Sequence, residues 1–304
     1  MSKKRSAPVS RKATMLPAAV LSVVLAFAGL VYFAGSYKMM TLLAGVCGVY
    51  LLLRRDLTPL RSVPAVLLLA YVAVSGLTRL WAISGKFFLM EYSEIFVAAA
   101  VFLAVMLSRN FNRSTVRSIM AVLVGVSTIY CVLSVEAAST GVSRGILSAM
   151  IPGIEGIDMG FESGTRLTGV LGNANILSSI VALGIIFSIC LLCGEDTPKG
   201  RAIYAGLAAV NAFTFLLLFS MGGTACFALA VLVYLLFAGE HRGSALVRML
   251  EVAIPALLCV FAAFPFFEGS GAALVIPLAA LVVCTAVVVV LEKTLAPKLV
   301  PVLE

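Results

Sequence analysis

Apolar runs long enough to cross a bilayer recur along this chain, and they leave it few ways to fold. They are Ala18–Tyr37, Met39–Leu53, Val63–Ile83, Ile95–Leu107, Ser118–Ala138, Thr168–Cys193, Ala202–Phe219, a run from the turn Ser220–Thr224 to Phe237, Met249–Phe267 and Ala272–Leu291. A helical crossing of the hydrocarbon core takes about 20 apolar residues. Backbone in lipid must satisfy its own hydrogen bonds, and runs that do not alternate in polarity suit helices rather than barrel strands. The expectation is an all-α, polytopic integral membrane protein with about ten transmembrane helices. A composition that is 62% hydrophobic and 12% charged is far from that of an ordinary soluble domain. The organisation read from the runs is a basic cytoplasmic tail over 1–17, a transmembrane domain over 18–293 with one long outer loop at 139–165, and a short tail over 294–304.

Lysine and arginine set the orientation of such a chain, because they are retained on the cytoplasmic side. With the N-terminus inside and ten crossings, 17 of the 22 basic residues fall in inner segments, and only Lys38, Arg79, Lys86, Arg144 and Arg166 fall outside. The net charge of +8 therefore reflects short inner loops and points to no nucleic-acid partner. The seven cysteines all lie in or beside apolar runs and read as small buried side chains, Cys190 and Cys193 included. No P-loop, dinucleotide fingerprint or zinc-spaced Cys/His cluster is present, so no cofactor and no metal are expected. The single histidine, His241, reads as a solvated loop residue.

One stretch departs from this pattern. Glu162-Ser-Gly-Thr-Arg166-Leu-Thr168-Gly169-Val-Leu-Gly172-Asn173-Ala-Asn175 puts a cation, glycines and two asparagines where the outer loop meets the sixth run. If that helix starts near Thr168, its N-terminal N–H groups and the positive end of its dipole face outward, as an anion site requires. Arg166 can fork to two phosphate oxygens, Gly169 and Gly172 permit close approach to the backbone, and Asn173 and Asn175 can donate hydrogen bonds. The plainer reading makes Arg166 an interfacial anchor, with Thr168 or Asn173 capping the helix. The outer loop holds Ile146, Leu147, Met150 and Ile151 at helical spacing, which suits either a surface helix or an irregular loop.

Arg166-Leu-Thr-Gly169-Val-Leu-Gly172-Asn173-Ala-Asn175 resembles the arginine–glycine–glycine–asparagine–x–asparagine signature of the O-antigen ligase and polymerase family. The likeness covers roughly 164–237. It implies a multi-pass protein of the bacterial cytoplasmic membrane that moves a glycan from a polyprenyl-pyrophosphate carrier to an acceptor outside, without a metal. On this resemblance Arg166 is the catalytic cation, and Gly169, Gly172, Asn173, Asn175, Ser220 and Thr224 bind substrate. The implied partners are the carrier-linked glycan and membrane lipid; no protein partner is indicated.

Three departures stand beside the likeness. Ala174 replaces the family's usual proline. Ser220-Met221-Gly222-Gly223-Thr224 stands where the family has serine–arginine–glycine, and the late outer loop shrinks to about Glu268–Gly271, with no histidine. Two expectations follow: either these residues are the front part of a longer enzyme, or the chain binds a lipid carrier without transferring its glycan. Glu155, Asp158 and Glu162 are candidate substitute bases or ordinary solvated loop acids. A transporter or flippase of a lipid-linked or anionic solute is the competing class, with Pro255, Pro265 and Pro277 as hinges. Few charges interrupt the runs, which favours an outer-surface site over a route through the bilayer. A non-catalytic membrane scaffold is the third reading.

Overall fold

A computed structural model describes residues 61–85, 92, 95, 99, 113–150, 158–162, 166–239, 242–266 and 275–303. The expected basic tail at 1–17, the runs Ala18–Tyr37, Met39–Leu53 and Ile95–Leu107, Glu155 and the loop Glu268–Gly271 lie outside or almost outside the described residues. The chain divides into two compact units, Met1–Ile119 and Met120–Glu304. In the first, helix α1 (Val63–Leu77) ends in a single 3-10 turn, Thr78–Leu80.

The second unit is a helical bundle. Its elements are α2 (Arg113–Ser139, begun in the first unit), α3 (Val142–Met150), strands β1 (Phe161–Glu162) and β2 (Arg166–Leu167), then α4 (Ala174–Cys193), α5 (Pro198–Leu217), α6 (Met221–Phe237), α7 (Arg242–Ala263), a 3-10 turn Phe264–Phe266, α8 (Ile276–Thr294) and α9 (Ala296–Leu303). Among the described residues, five helices are long and apolar enough to cross a membrane: those within α2, α4, α5, α7 with its 3-10 turn, and α8. A 20-residue helix such as α4 or α5 spans roughly 30 Å, the thickness of a hydrocarbon core.

Several expected boundaries move for identifiable reasons. The sixth helix begins at Ala174, not near Thr168, because Gly169 (φ 74°) and Gly172 (φ 61°) hold left-handed backbone that a helix cannot contain. Pro277 sits in the first turn of α8 and needs no hinge there, since a first-turn N–H has no helical acceptor. Pro265 lies in the 3-10 turn that ends α7, and Pro255 is inside α7. The stretch 294–304, expected as a tail, contains α9. A small antiparallel ribbon, with Phe161 opposite Leu167 and Glu162 opposite Arg166, lies at the end of the connector.

Helix α5 is the centre of the bundle and packs against α4, α7 and α8. It is buried almost all round from Ala205 to Leu217, and small residues (Ala205, Gly206, Ala208, Ala209, Ala212) let its neighbours approach closely. Large apolar side chains point the other way: Leu229, Leu232 and Leu236 on α6, Ile254, Leu258 and Phe261 on α7, and Val282, Val283 and Val290 on α8 are exposed. An exterior this rich in large apolar side chains suits contact with lipid and would favour aggregation in water. The pattern is that of a membrane protein.

Its interior is tied by one amide. Asn211, midway along α5 and fully buried, accepts from Ser127 Oγ at 2.5 Å and donates from Nδ2 to Thr128 Oγ1 at 2.9 Å and Leu207 O at 2.8 Å. Every polar position of the side chain is thereby used, so burial leaves nothing unsatisfied. Gly184 on α4 completes the junction, because a Cβ there would overlap Asn211 Oδ1 and Ser127 Oγ.

This junction yields a stability prediction, checked by reversible unfolding in mixed micelles. Gly184→Ala should destabilise by roughly 1–3 kcal/mol through overpacking. Asn211→Ala should cost about 1–2 kcal/mol, since hydrogen bonds between membrane helices are individually modest and a small cavity adds to the loss. The double variant should lose clearly less than the sum, because removing the amide makes room for the new methyl. Strict additivity would show that residues 184 and 211 do not press on each other.

Candidate functional site

The residues singled out in the sequence meet where three helix ends converge. In the ribbon, alternate residues face opposite ways, so Leu167 is fully buried while Arg166 remains half-exposed. Met159, also fully buried, pins the incoming chain. Thr168 does not start a helix: it closes the ribbon, its N–H donating to Gly160 O at 3.0 Å and its hydroxyl lying 2.8 Å from Asp158 O and 2.9 Å from Gly160 O. Asp158 Oδ1 in turn accepts from Gly160 N at 3.0 Å.

The turn after it is wedged into the bundle. Val170 N donates to Ser134 Oγ of α2 at 3.0 Å, and Gly172 N to Gly169 O at 2.9 Å. A Cβ on Gly169 would strike Leu177 and Ser134. Gly169 is buried, so its need for glycine comes from backbone conformation and packing rather than from a ligand at the surface. Gly172 and Asn173 are exposed beside it. Asn173 is the N-cap of α4, and its Oδ1 accepts from Asn175 N at 2.9 Å and Ile176 N at 3.3 Å. Two of the N–H groups expected to face an anion are therefore occupied by the cap.

Asn175 lies in the first turn of α4, and its Oδ1 is the meeting point. Arg166 Nη2 donates to it at 2.8 Å and Ser220 Oγ at 2.9 Å. Two donors converge on one atom, which fixes that atom as the amide oxygen. Ser220 is the buried N-cap of α6 and accepts from Gly223 N at 3.0 Å. Arg166 Nε donates to Leu218 O at 3.2 Å, so the guanidinium also caps the C-terminal end of α5, where the helix dipole favours a cation. The link between α5 and α6 is tight: Phe219 adopts φ 41°, a conformation unfavourable for a side chain of its size. Arg166, Asn175 and Ser220 thus form one hydrogen-bonded cluster, flanked by Gly172 and Asn173. Thr224 is one turn further along α6, with its hydroxyl bonded at 2.8 Å to Ser220 O in its own helix. Met221, at the position where the resemblance would have arginine, is 89% exposed.

Nearby, Glu136 near the end of α2 organises the start of α3. Its carboxylate accepts from Val142 N at 3.0 Å, from Ser143 N at 2.5 Å and from the Thr140 hydroxyl. Leu147 turns inward from α3 while Val142 and Ile146 remain exposed, which makes this helix amphipathic.

A second polar cluster sits at the opposite ends of α4 and α5, and sequence reasoning missed it. Glu292 of α8 is buried and takes Arg201 Nε at 3.2 Å and Arg248 Nε at 3.6 Å, while Arg248 Nη1 donates to Leu192 O at 3.0 Å. The run Met249–Phe267 leaves Arg248 in the preceding loop and Glu251 near the run's end; the helix starts instead at Arg242, which carries both inside. Their three-residue spacing, with Glu292 near the end of another apolar run, was the available signal. Among the described residues no group of three or more His, Cys, Asp or Glu side chains is arranged to hold a metal ion. Compared with known proteins, the chain matches no family model, no curated protein and no solved structure.

Proposed function

We propose that this chain is a membrane glycosyltransferase of the O-antigen ligase type, or the front part of one, which holds a polyprenyl-pyrophosphate-linked glycan at Arg166. It crosses the bacterial cytoplasmic membrane about ten times with its N-terminus inside, so that the Arg166 cluster faces outward. The observation that carries this reading is the Arg166–Asn175–Ser220 cluster itself. A guanidinium held by a helix-end carbonyl and a side-chain amide oxygen is fixed before a ligand arrives, and fixed charge stabilises a developing pyrophosphate leaving group without reorganisation. Arginine stays charged in such a place and forks to two oxygens. At the depth of the lipid headgroups its pairing with phosphate is stronger than in bulk water. Asn175 and Ser220 position the cation, and exposed Gly172 and Asn173 lie where the carrier's head would rest.

A second reading, transport or flipping of an anionic solute, draws on a specific observation as well. Arg248, Glu251 and Glu292 are ionisable and buried inside the bundle, and such groups within membrane helices commonly mark a solute or proton path. Transfer of glycan from carrier to acceptor by the purified protein separates the two, since a transporter moves the carrier across the bilayer and leaves its glycosyl bond intact.

Binding of undecaprenyl pyrophosphate to the protein in nanodiscs tests the role of Arg166. Arg166→Ala should weaken binding by roughly 1.5–3 kcal/mol, the loss of one charged hydrogen-bonding contact. Arg166→Lys should fall between that variant and the native protein, because it keeps charge and loses the fork. Asn175→Ala should cost about 0.5–1.5 kcal/mol by releasing the guanidinium. Arg144→Ala, which removes an exposed cation on α3, should bind as the native protein does. If it behaves like Arg166→Ala, the arginine acts only through general charge. Met221→Arg should raise affinity several-fold, by restoring a second guanidinium beside Ser220.

Orientation is tested by cysteine accessibility in a cysteine-free background. Val142→Cys on α3 should react with an impermeant maleimide in intact cells, whereas Asp196→Cys between α4 and α5 should react only after permeabilisation; both positions are exposed. The reverse pattern would put the Arg166 cluster in the cytoplasm and remove its access to an external acceptor.

A further inference from the structure

The Arg166 cluster adjoins an aromatic pair whose cost the fold alone does not explain. Phe219 follows Leu218, the C-cap of α5. A left-handed residue is usual just after a helix end, and glycine normally supplies it. Phenylalanine with φ 41° is strained there, and glycine would relieve the strain. The side chain does not offset that cost by entering the core, since Phe219 is 51% exposed. It meets Phe264, in the turn that ends α7, with ring centroids 6.2 Å apart and planes at 77°. Phe264 is itself 41% exposed, so much of both rings stays open. Such an edge-to-face pair contributes modestly by itself.

The pair is continuous with the cation site at one end and with the lipid-facing surface at the other. Phe219 stands between two residues of the cluster. Leu218 O accepts from Arg166 Nε at 3.2 Å, and Ser220 Oγ donates to the same Asn175 Oδ1 that holds Arg166 Nη2. Beyond Phe264, exposed Phe261, Leu257 and Ile254 recur every three or four residues down α7, and so share one face of that helix. The order is a fixed positive charge, then two rings, then an apolar stripe that descends towards the middle of the bundle.

We propose that Phe219 and Phe264 seat the first isoprene units of the carrier, so that its chain leaves Arg166 across this pair and runs down α7 into the bilayer. The proposal rests on the reading of Arg166 as the pyrophosphate site, and it adds residues that recognise the chain rather than the charge. Isoprene units are branched and unsaturated, and their C–H groups suit the negative faces of aromatic rings. A sugar would need hydrogen-bond partners for its hydroxyls, and the side chains of Phe261, Leu257 and Ile254 offer none.

The test measures affinity for the full chain in nanodiscs with three ligands. Farnesyl pyrophosphate has the chain, inorganic pyrophosphate only the charge, and methyl glucosyl pyrophosphate a sugar without a prenyl chain. Phe219→Gly should weaken farnesyl pyrophosphate roughly tenfold, the factor expected when one aromatic contact with the ligand is lost, and leave the other two within about twofold. Glycine accepts φ 41° without strain, so the α5–α6 link survives this variant. Phe264→Ala leaves that link untouched, should reproduce the selective loss, and decides the matter if Phe219→Gly fails to fold. Arg166→Ala should weaken all three ligands. If it weakens none while Phe219→Gly still loses farnesyl pyrophosphate selectively, the chain seat stands and the pyrophosphate reading of Arg166 falls. Native affinity for farnesyl pyrophosphate in both phenylalanine variants would overturn the proposal. So would parallel loss of farnesyl and inorganic pyrophosphate, which marks Phe219 as a support of the arginine. Selective loss of methyl glucosyl pyrophosphate would overturn it too, by marking a sugar platform.

Discussion

Every helix ends with backbone groups that have no partner within the helix, and this bundle is shaped by where those ends are placed. α4 and α6 begin, and α5 stops, at one point. There Asn173 and Ser220 cap the two starting helices, and Arg166 caps the helix that stops. Asn175 Oδ1 joins the solutions by accepting from both Arg166 and Ser220. At the other ends the same problem is solved differently, with Arg248 on the last carbonyls of α4 and two guanidiniums on Glu292. The polar chemistry of the protein is therefore concentrated at two levels roughly 30 Å apart, as the length of a 20-residue helix requires. Between them lies the neutral Asn211 junction.

The helical class was legible in the sequence because run length alone specifies it. Helix ends were less so. A run's hydropathy says where a helix is greasy, not where its first hydrogen bond forms. Thr168 looked like a helix start because the apolar run begins there, but two glycines with left-handed backbone defer the helix to Ala174. Arg248 looked like a loop residue, and Glu251 like the edge of a span, because charge lowers local hydropathy. In the fold, pairing with Glu292 and Leu192 O lets Arg248 lie inside. Pro277 was read as a hinge because proline inside a long run looks disruptive, yet the first turn of a helix accepts it.

For the candidate site, the sequence pointed to the cation and its asparagines and left their mutual contacts open. Nothing in the spacing could show that Arg166 bonds to Leu218, 52 residues on, or that Asn175 would bridge Arg166 to Ser220. Those contacts depend on α5 returning the chain to the level at which α4 began. Gly169 illustrates the converse. It fitted a ligand-approach role by type, while its burial against Ser134 and Leu177 gives it a packing role that residue type alone could not distinguish.

The bond between Arg166 and Leu218 also sets an order of events during synthesis. A ribosome adds about 5–20 residues per second, so Arg166 is made roughly 3–10 s before Leu218, and slightly longer before Ser220. For that interval the arginine emerges with neither its helix-end carbonyl nor the serine that shares its asparagine. α4 can start alone, since Asn173 caps it from within its own segment. The cluster closes only once α5 has formed and α6 has begun. Chains arrested between those points would carry a finished helix start and an arginine still lacking its helix-end carbonyl.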